Sequence, residues 1–310
     1  MSIHELGYRG WEGRRTGNAM RWWVLAESGI VAAWKSTWLR RILFFAWIPA
    51  LLWGALFFFY EQRIHLFTEL GQTIPPSELR NLPFEIPTEL VRQIIADPEA
   101  ARSDAWAFGL LTFFLRPQSI GLAILIGLVA PPLIARDLRT RAFLLYFARP
   151  ITRIEYLLGK SFTVWFFTAM ITTLPALLLF FEAVMLSSEL SVLADTWHLP
   201  LRLLVASAVL IVPTTAVALC FSSLTRENRY ASFGWFAVWI NGEVAYRIFQ
   251  ANGRVWPVVA PHRSLGELQK CIFGFPELAQ DVGVCAGFWV VVTPLAFAIL
   301  YGRISAPMRA

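Results

Sequence analysis

Five stretches without a single charged residue, at 42–60, 119–135, 161–181, 203–221 and 282–301, dominate this chain. A helix needs about 20 mostly apolar residues to cross about 30 Å of hydrocarbon. A sixth stretch, 231–249, is apolar apart from Glu243 and Arg247 near its far end. The stretch 119–135 is the shortest and holds Pro131 and Pro132. Just before it, 106–115 is also apolar but is cut off by Arg116-Pro117, and reads as an interfacial or partly inserted helix leading into the second span. The expectation is an all-α, polytopic membrane protein with six transmembrane helices.

Composition supports lipid as the solvent. Of the 310 residues 57% are hydrophobic and only 15% charged, with a mean hydropathy of +0.55. An ordinary soluble domain carries about 25% charged residues, and single cores stop growing near about 250–300 residues. A soluble enzyme and a disordered chain are both excluded. Cys220, Cys271 and Cys285 lie far apart without a CxxC, which argues against a zinc module or a disulfide scaffold.

Charge placement sets the orientation. With the N terminus inside, Lys and Arg in the inner segments outnumber those outside by about two to one, as the positive-inside rule requires. Both termini are then expected in the cytoplasm, as an even number of spans also demands. No cleavable signal peptide is expected, and Arg14-Arg15 stands too far from the first span for a twin-arginine signal.

The segment 1–41 precedes the transmembrane domain 42–302, and 303–310 forms a tail. Trp22, Trp23, Trp34 and Trp38 alternate with Arg21, Glu27, Lys35, Arg40 and Arg41, suiting an amphipathic helix on the cytoplasmic face or an inward extension of the first span. The outer loop 61–105 holds eight acids against four bases, is broken by prolines, and contains a helix start at Asp97-Pro98-Glu99. The last outer loop, 250–281, has apolar pieces that suit a return into the membrane.

The loop between the second and third spans, 136–160, is the informative segment. Leu138, Ala142, Leu145 and Tyr146 share one face of a short amphipathic helix over 136–148. Pro150 holds Arg149 extended, and Thr152 and Glu155 have capping-box spacing for the helix that becomes the third span. The result is a rigid elbow able to pass a push from a soluble partner into the membrane. Six basic residues there also satisfy the positive-inside rule alone.

In its order Ala-Arg-Asp-Leu-Arg, then Tyr-Phe-x-Arg-Pro-Ile-x-Arg-x-Glu-Tyr-Leu-Leu-Gly-Lys, the segment 135–160 resembles the permease subunits of type-2 ATP-binding-cassette (ABC) transporters. The local similarity runs over about 118–230, and the six-span layout extends it over most of the chain. The resemblance implies a coupling helix seated in a groove of a separate ATPase. Carried over by position, the coupling residues are Arg136, Asp137, Arg139, Arg141, Tyr146, Arg149, Pro150, Arg153, Tyr156, Gly159 and Lys160, with 222–229 as a lesser contact. It further implies an exporter in a bacterial cytoplasmic (inner) membrane, built from two permease copies or related permeases. ATP and Mg would sit on the partner ATPase and no cofactor on this chain. Gly159-Lys160 is the only Gly-Lys pair, and Ile154 stands where a phosphate-binding loop needs its first glycine.

Other functions find less support. Glu182, Glu243 and Arg247 are the charges in or beside spans, where ionisable groups are often functional. Glu182 could equally reach the outer boundary, and Glu243 and Arg247, four apart with the acid first, could neutralise one another. Gly283 and Gly287 form a GxxxG pair that permits close helix contact. His4, His65, His198 and His262 are isolated, so neither a metal site nor a hydrolytic constellation is indicated. The inner basic stretches suit anionic membrane lipids rather than nucleic acid. A non-transporting scaffold that anchors an ATPase or an envelope complex is the alternative from a different class.

Overall fold

Every regular element in the computed structural model is helical over the described residues, 20–70, 86–113, 118–142, 151–187, 191–253 and 256–305. Numbering the helices along these residues, the chain opens with α1 (Arg21–Trp34), α2 (Thr37–Ala46) and α3 (Ile48–Glu69). The single helix expected over 20–41 is thus two. Ser36 ends the first and caps the second, its hydroxyl accepting Leu39 N–H at 3.3 Å. Arg40 and Arg41 lie in α2 with the first residues of the expected first span. Pro49 has no N–H to return to Phe45, which interrupts the ladder where α2 gives way to α3.

Helices α4 (Thr88–Ala96) and α5 (Arg102–Phe113) follow. Asp97 caps the turn between them, accepting N–H from Glu99 and Ala100 at 3.1 and 3.0 Å, and α5 begins three residues later than Glu99. With Trp106, Leu110, Leu111 and Phe113 buried, α5 is enclosed by the bundle rather than laid on its surface.

The remaining helices are α6 (Ser119–Thr140), α7 (Arg153–Ile171), α8 (Thr173–Leu186), α9 (Val192–Thr196), α10 (His198–Leu224), α11 (Asn228–Ala251), α12 (Pro261–Phe273) and α13 (Val282–Ser305). The third expected span is broken at Thr172 because the ring of Pro175 opposes the Ile171 carbonyl. Among the described residues five stretches are long and apolar enough to cross a membrane: Thr37–Phe67, Ser119–Thr140, Arg153–Leu186, Val192–Leu224 and Val282–Ile304. Helix α11 has the length but carries Arg229, Asn241, Glu243 and Arg247, and is not among them.

Burial separates the centre from the flanks. Of their most apolar windows, 67% is buried in α6 and 56% in the α9–α10 stretch, against 22% for Thr37–Phe67 and 17% for Val282–Ile304. Helix α10 is the hub, touching α6, α7, α8, α11, α12 and α13. The flanking helices leave Phe44, Leu51 and Phe59 on one side and Val290, Val291 and Leu295 on the other exposed, a surface suited to lipid or another subunit.

Candidate functional site

The elbow is built from the end of α6 and the start of α7. Helix α6 does not stop at the end of the apolar run. It runs to Thr140 and ends at Arg141, whose backbone is left-handed at φ 54°. Residues 136–140 therefore extend α6 and are not a separate amphipathic helix, because nothing between Ala135 and Thr140 breaks the ladder. Tyr146, Arg149 and Pro150 lie outside the described residues. Helix α7 starts on the capping box read from the sequence: Glu155 N–H donates to Thr152 Oγ1 at 3.2 Å, and Thr152 N–H to Glu155 Oε2 at 2.6 Å.

The proposed coupling residues divide by the direction they face. Asp137, Tyr156 and Lys160 point inward and meet: Lys160 Nζ lies 2.7 Å from Asp137 Oδ2, and the Tyr156 hydroxyl donates to that same oxygen at 2.8 Å. The Asp137 and Lys160 side chains are only 13% and 9% exposed, so the ion pair is a brace between the two helices rather than a free contact surface. Gly159 is also turned inward. A Cβ there would stand 2.7 Å from Leu25 Cβ and 2.8 Å from the Trp22 carbonyl oxygen, so its lack of a side chain is what seats α1 on α7. Along the same seam Thr163 Oγ1 donates to the carbonyls of Gly159 and Ala26 at 3.1 and 3.3 Å, and Trp34 stacks on Phe167.

Arg136, Arg139 and Arg141 are exposed and form the outward basic face of the elbow. Arg139 Nη1 comes within 3.8 Å of Glu227 Oε2 in the α10–α11 turn, and the Arg153 guanidinium lies 5.7 Å over the Tyr301 ring of α13. The start of α1, the elbow, the α10–α11 turn and the end of α13 therefore gather at one end of the bundle. These are segments that charge counting assigns to one side of the membrane.

One further contact ties this end to the core. Pro131 and Pro132 deprive α6 of two N–H donors. Ser222 of α10 reaches into that place: its Oγ accepts N–H from Ile134 and Ala135 at 3.2 and 3.0 Å and donates to the Pro131 carbonyl at 2.7 Å. Ser232 of α11 donates to the Gly127 carbonyl at 3.0 Å, the acceptor that Pro131 leaves open. In lipid, freed backbone groups must be satisfied by neighbouring helices. Adjacent prolines inside an apolar run were the available signal for such partners, although the sequence does not say which hydroxyls supply them.

The charges proposed near the pathway are placed as follows. The Glu182 carboxylate lies over Gly54, where a Cβ would stand 2.6 Å from Oε2, so it faces α3 from α8. Glu243 and Arg247 do pair, Nε to Oε1 at 2.8 Å, but Glu243 also takes both ends of Arg263, at 3.0 and 2.9 Å. His262 Nε2 stands 3.1 Å from the second carboxylate oxygen. Burial holds the His262 imidazole below its ordinary pKa, so a neutral ring serves that contact. A second buried group went unread in the sequence: Glu61 accepts Trp106 Nε1–H at 2.7 Å and lies 3.4 Å from Arg102 Nε, which joins α3 to α5. No group of metal-binding residues is present among the described residues.

A helical, multi-pass membrane protein with a braced basic elbow is the class these features define. The chain belongs to the ABC-2 family of transporter proteins, whose sequence model, described as "ABC-2 family transporter protein", matches residues 35–253. The matched region takes in the elbow, its brace, Ser222 and all of α11. Members of that family are membrane transport subunits and not themselves catalytic. Among curated proteins none matches this chain.

Proposed function

We propose that this chain is the permease subunit of an ATP-driven exporter in a bacterial cytoplasmic membrane. In this reading α11 is counted as a sixth span and both termini are cytoplasmic. A separate ATPase, carrying ATP and Mg, grips the elbow 136–160, and a second permease copy or a related permease completes the assembly with the surrounding lipid.

The observation that carries the proposal is the division of labour at the elbow. The exposed Arg136, Arg139 and Arg141 offer a basic face, and the buried Asp137–Lys160 pair and the Ser222 contact fasten that face to α7 and α10. A push on the arginines is then delivered to packed helices instead of being absorbed by a soft loop. ATP-driven closure of the partner ATPases would tilt the second and third spans and change which side of the permease is open. Such coupling requires the two nucleotide states to favour different conformations energetically.

Charge reversal provides the test. Arg139→Glu with Arg141→Glu should abolish or strongly weaken co-purification with the partner ATPase, while membrane insertion is unchanged. Normal association of the double variant would refute the docking assignment. ATPase binding without ATP-dependent flux in reconstituted vesicles would instead identify a scaffold.

A further inference from the structure

The end of α11 farthest from the elbow carries more positive charge than its partners neutralise. Both oxygens of Glu243 are occupied by Arg263, Nε at 3.0 Å and Nη2 at 2.9 Å, and Arg247 Nε shares Oε1 at 2.8 Å. One carboxylate therefore serves two guanidiniums, which leaves a local charge of +1 with His262 neutral. The Arg263 guanidinium is held in place from below by Tyr246, 4.1 Å from its ring centroid. Arg247 is different: its side chain is 73% exposed, and its Nη1 and Nη2 make no hydrogen bond among the described residues.

The surroundings of those free donors are apolar. Ile240 and Val244 share the helix face of Arg247, Ile248 follows it in sequence, and all three are exposed. Arg247 stands 19 residues beyond Asn228, about 28 Å along a helix rising 1.5 Å per residue. If α11 spans the membrane, as the proposed function holds, that length places Arg247 at the far headgroup layer of a core about 30 Å thick. Trp256, exposed and 5.8 Å from the Phe249 ring, marks the same level with an aromatic rim.

We propose that Arg247, backed by Arg263, is a seat for the phosphodiester headgroup of an anionic lipid in the outer leaflet. A guanidinium fork beside lipid-facing methyl groups needs an acceptor, and phosphate matches its paired N–H geometry. The headgroup also neutralises the excess charge. Arg247 can turn to the lipid without stranding Glu243, because Arg263 and His262 still hold that carboxylate.

The experiment uses the full-length protein in detergent with dioleoylphosphatidylglycerol as the probe, bound lipid being read by native mass spectrometry. Arg247→Gln should retain the lipid about tenfold less tightly than wild type, the scale of one lost charge-assisted contact, with Arg247→Lys intermediate. A thermal midpoint equal to wild type shows that the variant is folded. Equal lipid retention by wild type and Arg247→Gln overturns the seat. Displacement of the lipid by millimolar inorganic phosphate assigns the site to the free anion and overturns the lipid assignment. The spanning of α11 is read separately, by labelling Gln250→Cys in a background with Cys220→Ala, Cys271→Ala and Cys285→Ala. Labelling from the elbow side would overturn that spanning and with it the outer-leaflet placement, while the headgroup contact itself is read by lipid retention in detergent, which does not depend on sidedness.

Discussion

Replacing Lys160 with Met tests whether the elbow is held by its internal brace. At 2.7 Å the Asp137–Lys160 pair has a gross attraction of about 6 kcal/mol for an effective dielectric of about 20. Desolvation of two side chains only 13% and 9% exposed offsets much of this, so the pair taken whole contributes little net stability. Breaking it is a different matter. Lys160→Met leaves Asp137 buried with the Tyr156 hydroxyl as its remaining close contact, at a cost of about 3–5 kcal/mol. Asp137→Leu removes the carboxylate that faces Lys160 and should also be destabilising. The double variant removes both charges and should lose less stability than either single variant, so the coupling energy should exceed about 3 kcal/mol, the smaller cost of a single variant. Thermal unfolding of the purified protein in detergent measures the cycle, and co-purification of the ATPase provides the functional readout. If Asp137 and Lys160 act as a brace, the double variant regains both stability and ATPase association. Additive losses in stability would refute the brace. Restored stability with ATPase binding still lost would return these two residues to the docking surface.

Three other outcomes follow from the same packing. Ser222→Ala should lower stability by about 1–3 kcal/mol, because two buried N–H groups and a carbonyl lose their hydroxyl partner. An unchanged thermal midpoint would count against that contact. Gly159→Leu should lower the midpoint of the isolated protein by forcing α1 off α7, since the first atoms met include backbone that cannot move aside. Gly287→Leu should not, because a Cβ there meets nothing within 4 Å, and equal effects at the two glycines would contradict the seam. Arg139→Glu with Arg141→Glu should leave the midpoint near wild type and act on ATPase association alone, which a thermal scan beside the pull-down would establish.

Much of the fold was legible because it depends on local properties. The length of an uncharged run decides whether a helix can cross hydrocarbon, and this can be counted residue by residue. The Thr152 and Glu155 capping box was likewise readable, since both hydrogen bonds close within three residues. The break at Thr172 was less evident: Pro175 was visible, but proline inside a long run does not always interrupt it, and Pro213 sits within an unbroken α10. Of the helix expected over 136–148, residues 136–140 instead continue α6, and 143–148 lie outside the described residues. No proline or glycine between Ala135 and Thr140 stops α6 from continuing.

What the sequence alone determined is a helical membrane chain with a polar elbow and the residue types that elbow contains. Tertiary structure decided which of those residues face a partner and which face one another. Asp137 and Arg139 are two positions apart in α6, yet the first is buried against α7 and the second exposed. Ser222 meets Pro131 across 91 residues, and Glu243 meets Arg263 across 20. Such pairings depend on how each helix is rotated about its axis and how closely its neighbours approach. Those quantities are set by packing between distant segments, so no local pattern of residues contains them.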